Sequence, residues 1–207
     1  SEKELETIQN ELIELDPDYQ TTFCEKRQKG ENDQHLCSLI RNDEIVEFIS
    51  YINSKNISLS SSIKPSLYET NLFLIEKNPM LIEYAAFHGS IQIIKYLLMN
   101  EVEIDNENLC IYSIHSKDAE IIDLLESNLM EFDDQSKEKV YLESIKCHHN
   151  EFSEYIEQNI LDRNNDITNE VNEDFISTIL KYHNYLYLPG KDFENNFGFF
   201  IYANIII

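Results

Sequence analysis

The sequence predicts an all-α fold, a solenoid of helical repeats with a helical cap at its N-terminal end. Three observations predict it. Only four glycines and four prolines occur in 207 residues, too few turn formers for a β-rich chain. Apolar residues recur at helical spacing: Ile45, Phe48, Ile49 and Ile52 fall at i, i+3, i+4 and i+7, one stripe of an amphipathic helix. The chain also matches itself when slid along its own length.

The self-match starts from "LIEYAAFHGSIQIIKYLLMN", residues 81 to 100. A shift of 28 residues lays it over "LCIYSIHSKDAEIIDLLESN", with Tyr84 on Tyr112, Ile93-Ile94 on Ile121-Ile122, Leu97 on Leu125 and Asn100 on Asn128. A further shift of 31 reaches "SIKCHHNEFSEYIEQN", and a shift of 46 upstream reaches "SLIRNDEIVEFISYINSKN". Four related units result. Each reads as a short first helix with small or apolar residues at its centre, a tight turn, and an amphipathic second helix. The stripe of Ile45, Phe48, Ile49 and Ile52 returns as Ile91, Ile94 and Leu98, then as Ile121, Ile122 and Leu125. One unit alone cannot bury its stripe, so neighbouring units must stack to share a core. Ile94, Ile122 and Phe152 are the core positions this register predicts. Ala85 and Ala86 allow close helix approach, and Gly89 supplies a permissive backbone at the turn.

The segment "PMLIEYAAFHGSIQIIKYLL" resembles the ankyrin-repeat pattern, in which Thr-Pro-Leu-His, an Ala pair and a Gly precede an apolar second helix. Ala85-Ala86, Gly89 and the trailing "NEVEID" stand at matching places; Met80-Leu81 replaces Thr-Pro, Glu83 replaces His, and Lys117 and His148 replace the glycine. With its insertion at 57–78, the chain is similar to the divergent ankyrin-repeat families of parasitic protists, most of whose members have no assigned function. The resemblance covers residues 33–160 and implies an ankyrin-type solenoid that binds a protein partner through a concave groove.

Residues 1–32 read as the helical cap: an amphipathic helix over 2–15, then a second helix from Asp16-Pro17, ending in Lys26, Arg27, Lys29 and Gly30. Residues 161–207 read as a divergent or truncated further repeat. Its polar "LDRNNDITNEVNED" is a loop, and "DFISTILKYHNYL" recovers helical spacing. The apolar end, with Tyr202-Ala203 matching Tyr84-Ala85, is either another first helix or a buried strand.

Charge restricts the partners. There are 39 acidic against 16 basic side chains, a formal net charge of −23. That field repels nucleic-acid phosphates and anionic lipid, and it favours a protein partner with basic groups. No apolar run reaches the length of a membrane span, and the charged N-terminal stretch is not a secretory signal. A cytoplasmic or nuclear protein, not a secreted one, is the expectation, with Cys24, Cys37, Cys110 and Cys147 as reduced thiols.

No phosphate loop, nucleophile elbow or metalloprotease helix is present. The alternative to a binding module is an enzyme or metal-site protein built around Cys147-His148-His149, or a structural spacer within a longer protein. Three consecutive residues point in different directions, however, and no second ligand pair stands at zinc-site spacing. The sequence therefore predicts no enzyme, no catalytic residue, no metal and no cofactor. What remains is a ladder at equivalent ends of the first helices: Arg41-Asn42, Phe87-His88, His115-Ser116 and Lys146-Cys147. The ankyrin resemblance implies that these ends are exposed and face the groove. Arg and aromatic side chains are enriched at binding hot spots, so Arg41, Phe87, His88, His115 and Lys146 are the candidate partner-binding residues.

Overall fold

In the computed structural model the described residues are 19–123, 131–161 and 173–187. They are helical, and among them no strand forms beyond one isolated bridge between Ser62 and Met80. None of the described helices is long and apolar enough to cross a membrane. The chain divides into two compact units, residues 1–103 and 104–207. The expected helix over 2–15, Leu125, Asn128 and the apolar C-terminal segment lie outside the described residues.

The first unit contains α1 (Tyr19–Lys29), α2 (His35–Arg41), α3 (Ile45–Lys55), α4 (Leu72–Lys77), α5 (Leu81–His88) and α6 (Ile91–Met99). Here α2 with α3, and α5 with α6, form two hairpins; α2 packs on α5 and α3 on α6. The α5 helix is buried from Leu81 through Ala86, and the fully buried Ala85 and Ala86 offer no side chain that would hold a neighbour away. Glu83 Oε2 accepts from the Met80 N–H at 2.7 Å, satisfying one of the orphan donors at the start of α5. Three hydrogen bonds lock the hairpins together. The Asp43 carboxylate accepts from the N–H groups of Gln92 and Ile93, both at 3.0 Å, and so caps α6 from the neighbouring turn. Ser90 Oγ donates to the buried Ile40 carbonyl.

The insertion ties the cap to the hairpins. Ile63 N–H donates to the Pro79 carbonyl at 2.7 Å, and Leu81 N–H to that of Ser61. The buried Glu69 carboxylate accepts from the backbone N–H groups of Asn32, Thr70 and Asn71. The α1 helix ends as the sequence predicts, at Gly30 with φ +71° behind Lys26, Arg27 and Lys29. A Cβ at Gly30 would lie 2.5 Å from Thr70 Oγ1, so a larger residue there would also force the Thr70 side chain to move.

The second unit contains α7 (Asn106–Ser116), helical residues at 119–123, α8 (Asp134–Lys146), α9 (Asn150–Asn159), α10 (Glu173–Lys181) and a 3-10 turn (Tyr185–Tyr187). The α8 helix packs against α7, α9 and α10. Its core is Leu109, Ile114, Ile121, Val140, Ile145, Ile156 and Ile179. Ser144 and Ser153 are buried in this core, and their hydroxyls satisfy one another across α8 and α9 at 2.7 Å.

One turn recurs. Asp43, Gly89, Lys117, His148 and His183 all have left-handed backbone, with φ between +52° and +79°. Each donates its N–H to the carbonyl three residues back: Ile40, Ala86, Ile114, Ile145 and Leu180. In four of the five, the next N–H reaches the carbonyl five residues back, closing a Schellman motif. From 43 to 89 is 46 residues, from 89 to 117 is 28, and from 117 to 148 is 31. These are the shifts at which the sequence matches itself. From 148 to 183 is 35 residues, so the same left-handed turn ends α10 within 161–207, about twenty residues before the place where the sequence suggests another first helix.

A non-glycine residue at positive φ carries a steric cost of about 1 kcal/mol. Lys117→Gly, at an exposed side chain, is therefore expected to stabilise the second unit by about 0.5–1 kcal/mol. Gly89→Val should do the reverse in the first, and urea midpoints at constant slope measure both.

Candidate functional site

The ladder occupies equivalent places in the hairpins, two residues before each left-handed turn, but its polar ends turn inward. Arg41 keeps only 13% of its side chain exposed; it donates to the Asn32 carbonyl at 2.9 Å and the Tyr84 hydroxyl at 2.8 Å, and pairs with Glu31 at 3.2 Å. His115 is 18% exposed, with Nε2 3.1 Å from Glu143 Oε1. These two contacts are one device repeated. In each, a residue two before a turn reaches the residue five before the next turn. Arg41 and His115 thus clamp hairpin to hairpin rather than standing free at the surface, as the sequence predicts for them. A guanidinium or imidazole packed beside a neighbouring helix loses water, so it takes the nearest acceptor.

The remaining candidate residues, Phe87, His88 and Lys146, are half-buried. Phe87 stacks on Phe73 of the insertion, with centroids 6.0 Å apart and 18° between planes. The His88 ring lies 4.5 Å from that of Tyr84, and its buried Nε2 has no hydrogen-bond partner. Burial, and after it the Arg41 charge, pushes His88 down to about 4. Lys146 pairs with Glu143 at 3.0 Å and lies over the Tyr182 ring at 5.9 Å. Burial drives the Glu143 carboxyl upward, yet the hydrogen bond from His115 and the Lys146 charge outweigh it and hold it below the usual range.

Cys147-His148-His149 does not act as one cluster. The exposed His148 places Nε2 2.8 Å from the Tyr182 carbonyl, whereas the His149 ring packs on Phe152 and its Nε2 is buried without a partner. Cys147 turns to His115, with Sγ 3.5 Å from Nδ1 and 3.6 Å from Nε2. Burial, reinforced by Glu143, pushes its thiol up to about 12. Burial thus favours the protonated thiol, and its sulfur faces the ring almost evenly rather than one nitrogen lone pair. The grouping with His115 and Glu143 was hidden from the sequence because its members lie 28 and 4 residues apart on two helices.

In the first unit a cavity of about 460 Å³ opens beside the insertion, lined by Phe23, Ile63, Leu74, Pro79 and Tyr84 among others. Its lining is largely apolar. The nearby Arg27 guanidinium is already engaged by the carbonyls of Leu67 and Glu69. No protein-family model, curated protein or solved structure matches this chain.

Proposed function

We propose that the chain is an ankyrin-type array of helical hairpins that works as a protein–protein interaction module for a partner carrying basic groups. The observation that supports this best is the recurrent left-handed turn at the sequence's own repeat spacing. In each unit the hairpins are held by packing and by polar clamps, so the surface they present is ordered before a partner arrives. A preordered surface spends little entropy on binding. Net charge of −23 draws a basic partner by long-range attraction, which salt weakens.

Docking at the first-helix ends would use Phe87 and His88 in the first unit and Lys146 in the second, where His115, clamped to Glu143, supports the face. Arg41 contributes by holding the face in shape. Cross-linking capture from the source cell, with wild-type and Phe87→Ala/Lys146→Ala protein side by side, tests this. The expected result is a partner held by wild type at low salt and bound at least about fivefold more weakly by the variant, a loss above roughly 1 kcal/mol. Arg41→Ala is expected to lower stability by about 2 kcal/mol, since it removes charge-assisted bonds to Tyr84 and Glu31, so its binding is read only alongside a melting curve. Binding unaffected by the double variant, but lost on neutralising Glu120 and Glu151, would move the interface to the second helices.

A further inference from the structure

His115 near the end of α7, and Glu143 and Cys147 at the end of α8, offer an imidazole nitrogen, a carboxylate oxygen and a sulfur, all within 4.8 Å of one another. His115 Nε2 is 3.1 Å from Glu143 Oε1 and 3.6 Å from Cys147 Sγ. Zinc binds nitrogen and oxygen at about 2.0–2.2 Å and sulfur at about 2.3 Å, so in a tetrahedral site ligand atoms stand roughly 3.3 Å apart for N···O and roughly 3.6 Å for N···S. Both spacings from Nε2 already lie close to edges of that tetrahedron. We propose that His115, Glu143 and Cys147 form a site for a zinc-class divalent cation, with water in the fourth position.

The donor set fits this ion class. Sulfur and imidazole favour zinc or cobalt, whereas magnesium and calcium require oxygen alone. The side chains are held in advance: His115 sits two residues before the turn at Lys117, and Glu143 and Cys147 are four apart at the end of one helix. Lys146 holds the second carboxylate oxygen of Glu143 at 3.0 Å, the kind of outer contact that orients a ligand and leaves Oε1 toward the ion. One adjustment is needed. Because Sγ is almost equally far from both ring nitrogens, the imidazole must turn about its χ2 to aim Nε2 at the cation. The ion then replaces the His115–Glu143 hydrogen bond. Loading is an exchange: the divalent cation enters, metal–sulfur and metal–Nε2 bonds form, the thiol proton leaves to solvent, and the proton that Nε2 donates to Glu143 passes through solvent to Nδ1.

The first unit shows why this happens in only one of the two clamps. Its three equivalent places hold Arg41, Tyr84 and His88. There the Arg41 guanidinium supplies the positive charge, donates to the Tyr84 hydroxyl and pairs with Glu31, and a guanidinium has no lone pair to offer a metal ion. With His in place of Arg and Glu in place of Tyr, the second clamp is built from side chains that can ligate a metal.

Titrating chelator-treated, reduced full-length protein with cobalt(II), then zinc, tests the proposal. One equivalent of cobalt is expected to give a thiolate-to-cobalt charge-transfer band, to release about one proton, and to be displaced by zinc. Cys147→Ser should abolish the band and weaken binding by about 100-fold or more, since even outer-shell losses cost 10–100-fold. Cys24→Ser, at the exposed thiol of α1, should leave it intact. Should Cys147→Ser fail to fold by circular dichroism, His115→Gln keeps a hydrogen-bonding group against Glu143 and is expected to weaken cobalt binding likewise. Absence of the band in wild type, its survival in Cys147→Ser, or unchanged affinity in folded His115→Gln would overturn the assignment.

Discussion

Replacing Ile121 with Asp is expected to destabilise the second unit by on the order of 4 kcal/mol, and the same change at Ile122 by less than about 2. The sequence register puts both residues in one stripe and names Ile122, with Ile94 and Phe152, as the core position. Ile94 and Phe152 are buried, but Ile122 is only half-buried, and its neighbour Ile121 is fully enclosed. At 121 a carboxylate would lose its water. It would also lie close to the Asp118 carboxylate, whose Oδ1 accepts from the Glu120 and Ile121 N–H groups at the start of this helix. At 122 the added charge keeps part of its hydration. Urea unfolding followed by circular dichroism measures the contrast as a difference in midpoint at constant slope. Equal losses at the two positions would mean that the core takes Ile122 after all.

That one-residue difference shows how far the sequence carries. Helical class and repeat spacing were legible because both depend on local chemistry. The shifts of 46, 28 and 31 reappear as distances between left-handed turns, since a tight helix–turn–helix needs one such residue at a fixed place. Facing was less legible. The stripe read as Ile91, Ile94 and Leu98 proves to be Ile93, Ile94 and Leu97, because a second helix packs on its own first helix and on a neighbouring hairpin. Its buried face is then broader than a single i, i+3, i+4 stripe and rotated from it.

The turn at His183 escaped for another reason. Glycine is the visible mark of positive φ, but Asp, Lys and His pay only about 1 kcal/mol to stand there, and four of the five turns use them. The clamps were not legible at all. Arg41 with Tyr84 lies 43 residues apart, and His115 with Glu143 lies 28 apart. Nothing local distinguishes a side chain that bridges two hairpins from one that waits for a partner. Both interpretations place a cation or an aromatic ring at the end of a first helix, and only packing decides between them.

His88 provides the second large effect. Lowering the pH from 7 to 4 is expected to remove about 3 kcal/mol from the first unit through this residue alone. The unfolded chain takes up a proton at His88 near pH 6.5, whereas the native ring resists until about 4. Burial is the main cause, and the neighbouring Arg41 charge adds to it against a smaller opposing pull from Glu31. Its folded value is depressed for a base, so the unfolded state binds more protons throughout that window. Stability is therefore full above about 6.5, and falls as the pH drops through the window toward 4. Acid-sensitive carboxylates of the same unit act elsewhere. Asp33, with burial opposing but the Ser66 and Lys26 hydrogen bonds prevailing, sits below 3.8, so its contribution is lost at lower pH. His88→Gln keeps a neutral polar side chain at the site and removes the titration. Urea midpoints measured between pH 7 and 4 should fall steeply for wild type and far less for the variant. Parallel curves would mean that His88 is solvated in the native state. Stability rising toward pH 5 would require an acidic partner for its ring, which the contacts with Tyr84 and Phe87 and the adjacent Arg41 charge argue against.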